Sequence, residues 1–139
     1  MGLVGAKRAL VVGCGEFGLA LANRLSAAGF AVTVVDCCAG AFGGLDAGFG
    51  GETVVGDGAN VSVLEDCEIA RTSLFVACTS RDSVNYFLAR VASEVYGVEH
   101  VFARLEDADL IGMLEDTPIA PICPHVLCLG EFCRLAKIA

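Results

Sequence analysis

Basic residues are scarce in this chain, and long uninterrupted apolar runs are missing. Nine Lys and Arg stand against 17 Asp and Glu in 139 residues, which gives a net charge of −8 at pH 7. That balance argues against nucleic acid as a partner, because nucleic-acid binding needs cationic patches. Although 55% of the residues are hydrophobic, glycines and charges interrupt every apolar run before the roughly 18 residues that a membrane helix needs. With no apolar leader and cleavage site either, we expect a cytoplasmic protein without direct membrane insertion.

Histidine is also rare, and the cysteines do not form the patterns of a disulfide framework or a metal site. The chain has two His and eight Cys, and no C-x-x-C pair occurs. Neither histidine stands at zinc-site spacing from a cysteine pair, although His125 near Cys123 and Cys128 justifies a metal test. Cys14, Cys78 and Cys128 fall in apolar segments, where a free cysteine behaves as a small hydrophobe. We therefore expect reduced thiols and no bound metal.

A glycine-rich turn near the N-terminus is the strongest local signal. The segment Gly13-Cys14-Gly15-Glu16-Phe17-Gly18 follows an apolar run and precedes good helix formers, which is the context of a dinucleotide-binding fingerprint. In that fingerprint the first glycine permits a tight turn, the second lets the backbone approach a pyrophosphate, and the third allows close helix–strand packing. The helix N-terminus adds free N–H groups for phosphates. Asp36 stands about 20 residues later, where an acid is expected to bind a ribose 2′-hydroxyl.

Apolar runs and helical periodicities alternate along the whole chain. They predict strands at 7–12, 31–35, 53–55, 73–78, 100–104 and 119–122, and helices at 16–28, 60–68, about 82–96, 107–115 and 125–138. A short, weak helix is expected within 37–52. The helix from 82 is expected to have Asp82 or Ser83 as its cap and an apolar stripe of Val84, Phe87, Leu88, Val91 and Val95. The alternation predicts one domain over 1–139, an α/β fold with a three-layer, Rossmann-like, doubly wound parallel sheet of about six strands.

The predicted terminal helix is apolar around most of its circumference. Its apolar residues are Val126, Leu127, Leu129, Phe132, Leu135 and Ile138. An exposed apolar surface of this width is normally an interface. We therefore expect a homodimer formed partly by this helix.

Several short motifs in one order resemble a known family. They are the glycine turn, "VVD" ending at Asp36, "TVVGDG" at 53–58, "ACTSRDSVN" at 77–85 and "VFAR" ending at Arg104. Together they resemble the N-terminal nucleotide-binding domain of Trk/Ktr-type potassium-transport regulatory subunits, the regulator of potassium conductance family. The glycine turn alone is shared with many dehydrogenases, whereas "TVVGDG" and "ACTSRDSVN" are specific. The resemblance extends from about residue 7 to residue 138.

The resemblance implies a non-enzymatic regulatory subunit that binds NAD or NADH, or alternatively ATP, ADP or AMP. It also implies a homo-oligomer, as a dimer or a higher ring, whose partner is a membrane potassium transporter. The residues carried over as the cofactor site are Gly13, Cys14, Gly15, Glu16, Phe17 and Gly18 for phosphates, Asp36 and Cys37 at the ribose, Asp57 and Gly58 beside the adenine, and Thr79 and Ser80 at the topological switch point. Arg104 either approaches the phosphates or pairs with Glu106 or Asp107.

The chain departs from the family pattern in two ways. Family members often carry an arginine where this chain has Glu16. A carboxylate there would repel a γ-phosphate, which favours a dinucleotide over ATP or weakens ligand binding altogether. Family members also commonly continue into a second small lobe, which we do not expect within these 139 residues.

Two other functions remain open at this stage. A small NAD(P)-dependent oxidoreductase would need a substrate region and an acid–base group, but only about 35 residues follow the fifth predicted strand, and no Tyr-x-x-x-Lys pair occurs. A thiol redox sensor would use Cys14, because a helix N-terminus lowers a thiol pKa. Cys37 and Cys38 would then lie next to the ribose pocket.

Overall fold

Six strands form one parallel sheet in the computed structural model, which describes residues 7–139. The strands are β1 (Arg8–Val12), β2 (Ala31–Asp36), β3 (Glu52–Val55), β4 (Leu74–Ala77), β5 (His100–Arg104) and β6 (Ile119–Ile122). Their order in the sheet is β3-β2-β1-β4-β5-β6. The strand order reverses between β1 and β4, which are paired from Ala9 with Leu74 to Val12 with Ala77. The predicted doubly wound Rossmann-like sheet of six strands is confirmed.

Within residues 7–139, five α-helices connect or follow these strands. They are α1 (Glu16–Ala27), α2 (Val61–Asp66), α3 (Asp82–Arg90), α4 (Ala108–Gly112) and α5 (Pro124–Ala136), and a π-helical turn at Val91–Val95 extends α3. The weak helix expected within 37–52 is a six-residue 3₁₀ helix, Ala39–Gly44. Phe42 in this helix, and Leu45 and Phe49 after it, nevertheless pack against the core, as their spacing suggested. None of the helices within residues 7–139 is long and apolar enough to cross a bilayer.

The core is divided by the sheet into two apolar layers. On one face, Ala9 and Val11 of β1 pack with Ala22 and Leu25 of α1. On the other face, Leu10 and Val12 pack with Leu64 of α2 and with Leu88, Ala89 and Ala92 of the α3 segment. Alternate residues of a central parallel strand are therefore buried on both sides, which explains its continuous apolar sequence.

Helix α3 is rotated relative to its predicted apolar stripe. Leu88 is buried and Val84 packs against the core as expected. Phe87 and Val95, however, are 46% and 69% exposed, and the buried residues beside Leu88 are Asn85, Ala89 and Ala92. The small alanines let the helix approach the sheet closely. Asn85 faces the strand ends because its hydrogen-bond partners, Thr79 and the carbonyl oxygen of Arg104, lie there. The expected cap is also wrong. Arg81 occupies the N-cap position, and the Asp82 carboxylate accepts hydrogen bonds from the backbone N–H groups of Glu106 and Asp107.

Helix α5 lies at the surface and buries none of its residues. Six apolar side chains of its segment, those of Val126, Leu127, Leu129, Phe132, Leu135 and Ile138, are 55–67% exposed. Apolar patches of this kind usually mark a binding surface. Its first turn follows β6 directly, so α5 begins at the same edge of the sheet as the loops after β1 and β4.

Candidate functional site

A cleft of about 880 Å³ lies at the carboxyl edge of the sheet. It is centred on the reversal of strand order between β1 and β4, where the loops that follow the two strands diverge to opposite faces. Open α/β sheets bind ligands at such a switch point. All twelve residues that the sequence predicted as a cofactor site line this cleft. The structure thus brings them together, while their contact with a cofactor remains a prediction.

Two glycines of the β1–α1 turn are required by the chain itself. Gly13 has φ +108°, and a Cβ there would lie 2.6 Å from the carbonyl oxygen of Cys78 and from the amide nitrogen of Thr79. A Cβ on Gly18 would overlap the carbonyl oxygen of Gly13. These contacts bring α1 and the β4 end against the turn, as the fingerprint predicts for its first and third glycines.

Gly15 has no such requirement. It has φ −76°, which any residue adopts, and apart from the two adjoining residues no group lies within 4 Å of the position that its Cβ would take. Gly15 is also the N-cap of α1, and no side chain caps the helix there. The first N–H groups of a helix need partners. The turn therefore presents an open backbone and an uncapped helix start towards the cleft, which suits an anion.

Asp36, at the end of β2, braces this turn. Its Oδ2 accepts a hydrogen bond from the Cys14 N–H at 2.8 Å, and its Oδ1 accepts one from the Cys38 N–H at 2.9 Å. A carboxylate has about four acceptor sites, so each oxygen can accept one more hydrogen bond. The predicted bond from a ribose hydroxyl is therefore compatible with the structural role that Asp36 has in the folded chain.

The buried thiols of the cleft are poor nucleophiles. Burial, with a further contribution from the Asp36 carboxylate, raises the pKa of Cys14 to about 11. Burial also raises the pKa of Cys78 to about 12, although Arg104 opposes the shift. The lowered Cys14 pKa on which the redox-sensor alternative depends is therefore contradicted, because desolvation outweighs the effect of the helix N-terminus. Cys37, by contrast, is exposed on the rim.

Asn85 organises the strand ends, and the sequence prediction missed it as a site residue. It is fully buried, and its Oδ1 accepts hydrogen bonds from the Thr79 N–H at 2.9 Å and the Thr79 hydroxyl at 2.7 Å. Its Nδ2 donates to the carbonyl oxygens of Thr79 at 3.0 Å and Arg104 at 2.8 Å. Asn85 thereby joins the loops after β4 and β5. An asparagine inside a predicted helix, where its propensity is low, was the available signal.

The side chains on either side of the cleft have partners of their own. The Arg104 guanidinium lies 3.3 Å from the Glu106 carboxylate and also lines the cleft, so the expected ion pair forms without removing Arg104 from the site. Asp57 accepts a hydrogen bond from the Ala59 N–H at 2.9 Å, which shapes the turn after β3. A Cβ on Gly58 would overlap the Val12 side chain.

The far wall of the cleft was not predicted. Pro124, Leu127 and Cys128 from α5 line it together with Ile122 of β6. Cys128 is exposed there and not packed in an apolar element as expected. Among residues 7–139, no three His, Cys, Asp or Glu side chains converge as metal ligands. The exposed apolar helix and the cleft therefore share residues, most clearly Leu127.

Comparison with known proteins identifies the family. The family described as TrkA-N domain matches residues 9–123. The Trk system potassium uptake protein TrkA of Streptomyces coelicolor is 40% identical over 98 residues, which cover 70% of this chain and 44% of that protein. The chain therefore spans less than half the length of this relative.

Solved structures show the same fold at lower identity. The TrkA-N domain of the inner membrane protein ybaL from Escherichia coli has a TM-score of 0.80 at 16% identity, with 96% of this chain and 98% of that chain covered. The AMP-bound form of the Shewanella denitrificans Kef CTD has a TM-score of 0.69 at 19% identity, with 84% and 72% covered. Since the family match takes in most of the sequence, this chain belongs to the TrkA-N domain family.

Proposed function

We propose that this chain is the nucleotide-sensing regulatory domain of a potassium-uptake system, and that it binds NAD or NADH. The observation that carries the proposal concerns Gly15: no contact within the folded chain requires a glycine at this position. A bare backbone beside an uncapped helix start is what a pyrophosphate needs in order to approach closely. The potassium-uptake role is supported by the sequence match to TrkA of Streptomyces coelicolor.

The charges of the cleft favour a dinucleotide over a nucleoside triphosphate. Asp36 offers acceptor oxygens that suit a ribose hydroxyl and would repel a 2′-phosphate, so NAD fits better than NADP. Glu16 is exposed at the start of α1 and lines the cleft. Its carboxylate would repel a terminal phosphate group more than it would repel the less charged linkage of a dinucleotide. ATP, ADP and AMP are the alternative ligands, and the AMP-bound Kef relative supports an adenine nucleotide of some kind.

Because α5 lines the cleft, nucleotide binding and oligomer assembly would involve the same helix. A nucleotide that fills it would contact the first turns of α5, whose apolar side chains are exposed. We expect a second copy of the chain to cover this helix, giving a dimer or a higher ring that acts on a membrane transporter. A ligand shifts such an assembly only if it binds two packing arrangements with different affinity. We expect the two arrangements to place α5 differently, so that a ligand in contact with α5 binds them with different affinity.

The test is to titrate the purified chain with NADH, NAD, ADP, AMP and ATP by calorimetry, with sedimentation velocity run in parallel. NADH should bind, and its addition should change the sedimentation of the oligomer. Replacement of Glu16 by Gln should increase ATP affinity several-fold relative to NADH, whereas Glu115→Gln, a matched change outside the cleft, should not. Absence of binding by every nucleotide at millimolar concentration would contradict the proposal. Oxidation of NADH by a panel of small carbonyl compounds would instead support the oxidoreductase alternative.

A further inference from the structure

The cleft contains more negative than positive charge, and one of its two cations is already paired. Its carboxylates are those of Glu16, Asp36 and Asp57, and its cations are Arg81 and Arg104. Arg104 lies 3.3 Å from the Glu106 carboxylate. Among residues 7–139, no carboxylate lies within salt-bridge distance of Arg81. An anionic ligand that enters this cleft therefore meets Arg81 as its uncompensated cation.

The backbone of Arg81 is held in place although its side chain is exposed. Its N–H donates to the Thr79 hydroxyl at 3.2 Å, and its carbonyl oxygen accepts from the Asn85 N–H at 3.0 Å. Thr79 is itself held by the fully buried Asn85. These bonds fix where the side chain of Arg81 begins. A long cationic side chain with a fixed starting point loses less freedom on binding than one on a mobile loop.

The loop that carries Arg81 adjoins the glycine turn directly. The Cys78 thiol donates to the Gly13 carbonyl oxygen at 3.3 Å, and the Thr79 amide nitrogen lies 2.6 Å from the position that a Cβ on Gly13 would take. Arg81 thus begins two residues from the backbone that touches the expected phosphate-binding turn. A guanidinium can bind two phosphate oxygens at once, which an ammonium group cannot do as well.

We propose that Arg81 is a specificity-determining residue that binds the diphosphate group of the nucleotide from the β4–α3 loop and offsets the charge of Glu16. This inference rests on the proposed function, since it assigns a role in the same cleft. It makes the cleft selective for phosphorylated ligands: the ligand class is an adenine dinucleotide or a nucleoside diphosphate, and an uncharged nucleoside gains nothing from Arg81.

The experiment compares Arg81→Gln, Arg81→Lys and Arg24→Gln in the whole chain. Arg24 is the matched control, because it is exposed, lies outside the cleft and loses the same charge when replaced. Calorimetry measures NADH and ADP affinity, and NMR shifts at millimolar concentration measure adenosine affinity. Arg81→Gln should reduce NADH and ADP affinity about tenfold or more and leave adenosine affinity unchanged. Arg81→Lys should recover part of the loss, and Arg24→Gln should change none of the three affinities by more than about twofold.

Salt provides a second readout that a merely structural role would not change. Affinity of the original chain for ADP should fall more steeply with ionic strength than that of the Arg81→Gln variant, because a charge pair has been removed. Unchanged ADP and NADH affinity in Arg81→Gln would overturn the inference and leave the proposed function standing. Equal losses for ADP and adenosine, or equal losses in the Arg24→Gln control, would also overturn it. If the original chain binds neither NADH nor ADP, the proposed function fails and the inference fails with it.

Discussion

Alanine at position 15 should leave the fold almost unchanged and greatly weaken nucleotide binding. Gly15 has φ −76°, so an alanine fits its backbone, and no atom beyond the two adjoining residues lies within 4 Å of the added methyl group. The loss of unfolded-state freedom favours the folded variant by about 0.4–1 kcal/mol. Glycine is better than alanine at an N-cap, which costs the variant a similar amount, up to about 1 kcal/mol.

These two effects offset each other, and the expected change in the free energy of unfolding is below about 1 kcal/mol. For a chain of this size the melting temperature should stay within about 5 °C of the original. The methyl group would nevertheless occupy the space through which the pyrophosphate of the proposed ligand would approach the backbone. We expect NADH affinity to fall at least about tenfold, or roughly 1.4 kcal/mol. Urea denaturation and calorimetry measure the two quantities separately.

Gly18→Ala is the contrasting variant. Its methyl group would overlap the Gly13 carbonyl oxygen, and overpacking against backbone costs about 1–3 kcal/mol. Gly18→Ala should therefore lose stability, whereas Gly15→Ala should lose only binding. Undiminished NADH affinity in Gly15→Ala would refute the reasoning. So would a loss of more than about 2 kcal/mol of stability, because the chain itself would then require the glycine.

Three further outcomes follow from the described geometry. Asn85→Leu removes four hydrogen bonds to Thr79 and Arg104. It should lower the free energy of unfolding, measured in urea titrations, by about 3 kcal/mol. A loss below about 1 kcal/mol would contradict the role of Asn85 in joining the two loops. Because the pKa of Cys14 is raised to about 11, stability present below pH 9 should be lost as the pH rises towards 11, and less so in Cys14→Ala. In peptide mass spectrometry, iodoacetamide at pH 8 should label the buried Cys14 more slowly than the exposed Cys37. Leu135→Asp should convert the expected oligomer to monomer in sedimentation velocity without loss of melting temperature, because Leu135 is 67% exposed. Val55→Asp, which changes an exposed residue of the distant strand β3, is the control. An unchanged oligomer in Leu135→Asp would show that α5 is not part of the interface.

Local patterns were sufficient for most of the elements and for the position of the cleft. The apolar runs predicted each strand to within a few residues, and the glycine turn, Asp36, Asp57 and Thr79 each follow a strand. Because parallel strands end at one edge of a sheet, residues in that position meet whatever the details of packing. All twelve predicted residues line one cleft for this reason.

Features that depend on long-range contact were predicted less well. The stripe on α3 was placed from apolar spacing alone, but the helix turns towards the sheet the face that carries Asn85, Ala89 and Ala92. The redox-sensor alternative judged the pKa of Cys14 from its place at a helix start, whereas burial raises that pKa. Burial comes from elements far away in sequence, and a local motif carries no information about it.

The order of residue types along this chain by itself determined the alternation of strands and helices, the family, and which side chains collect at the carboxyl edge of the sheet. These follow from periodicity and from strand direction, which are properties of neighbouring residues. Only the tertiary structure decided that no packing contact requires glycine at position 15, that Asn85 joins two loops, and that α5 forms a wall of the cleft. Each of these depends on the distance between segments remote in sequence, and such distances are set only when the sheet and its two helical layers pack together.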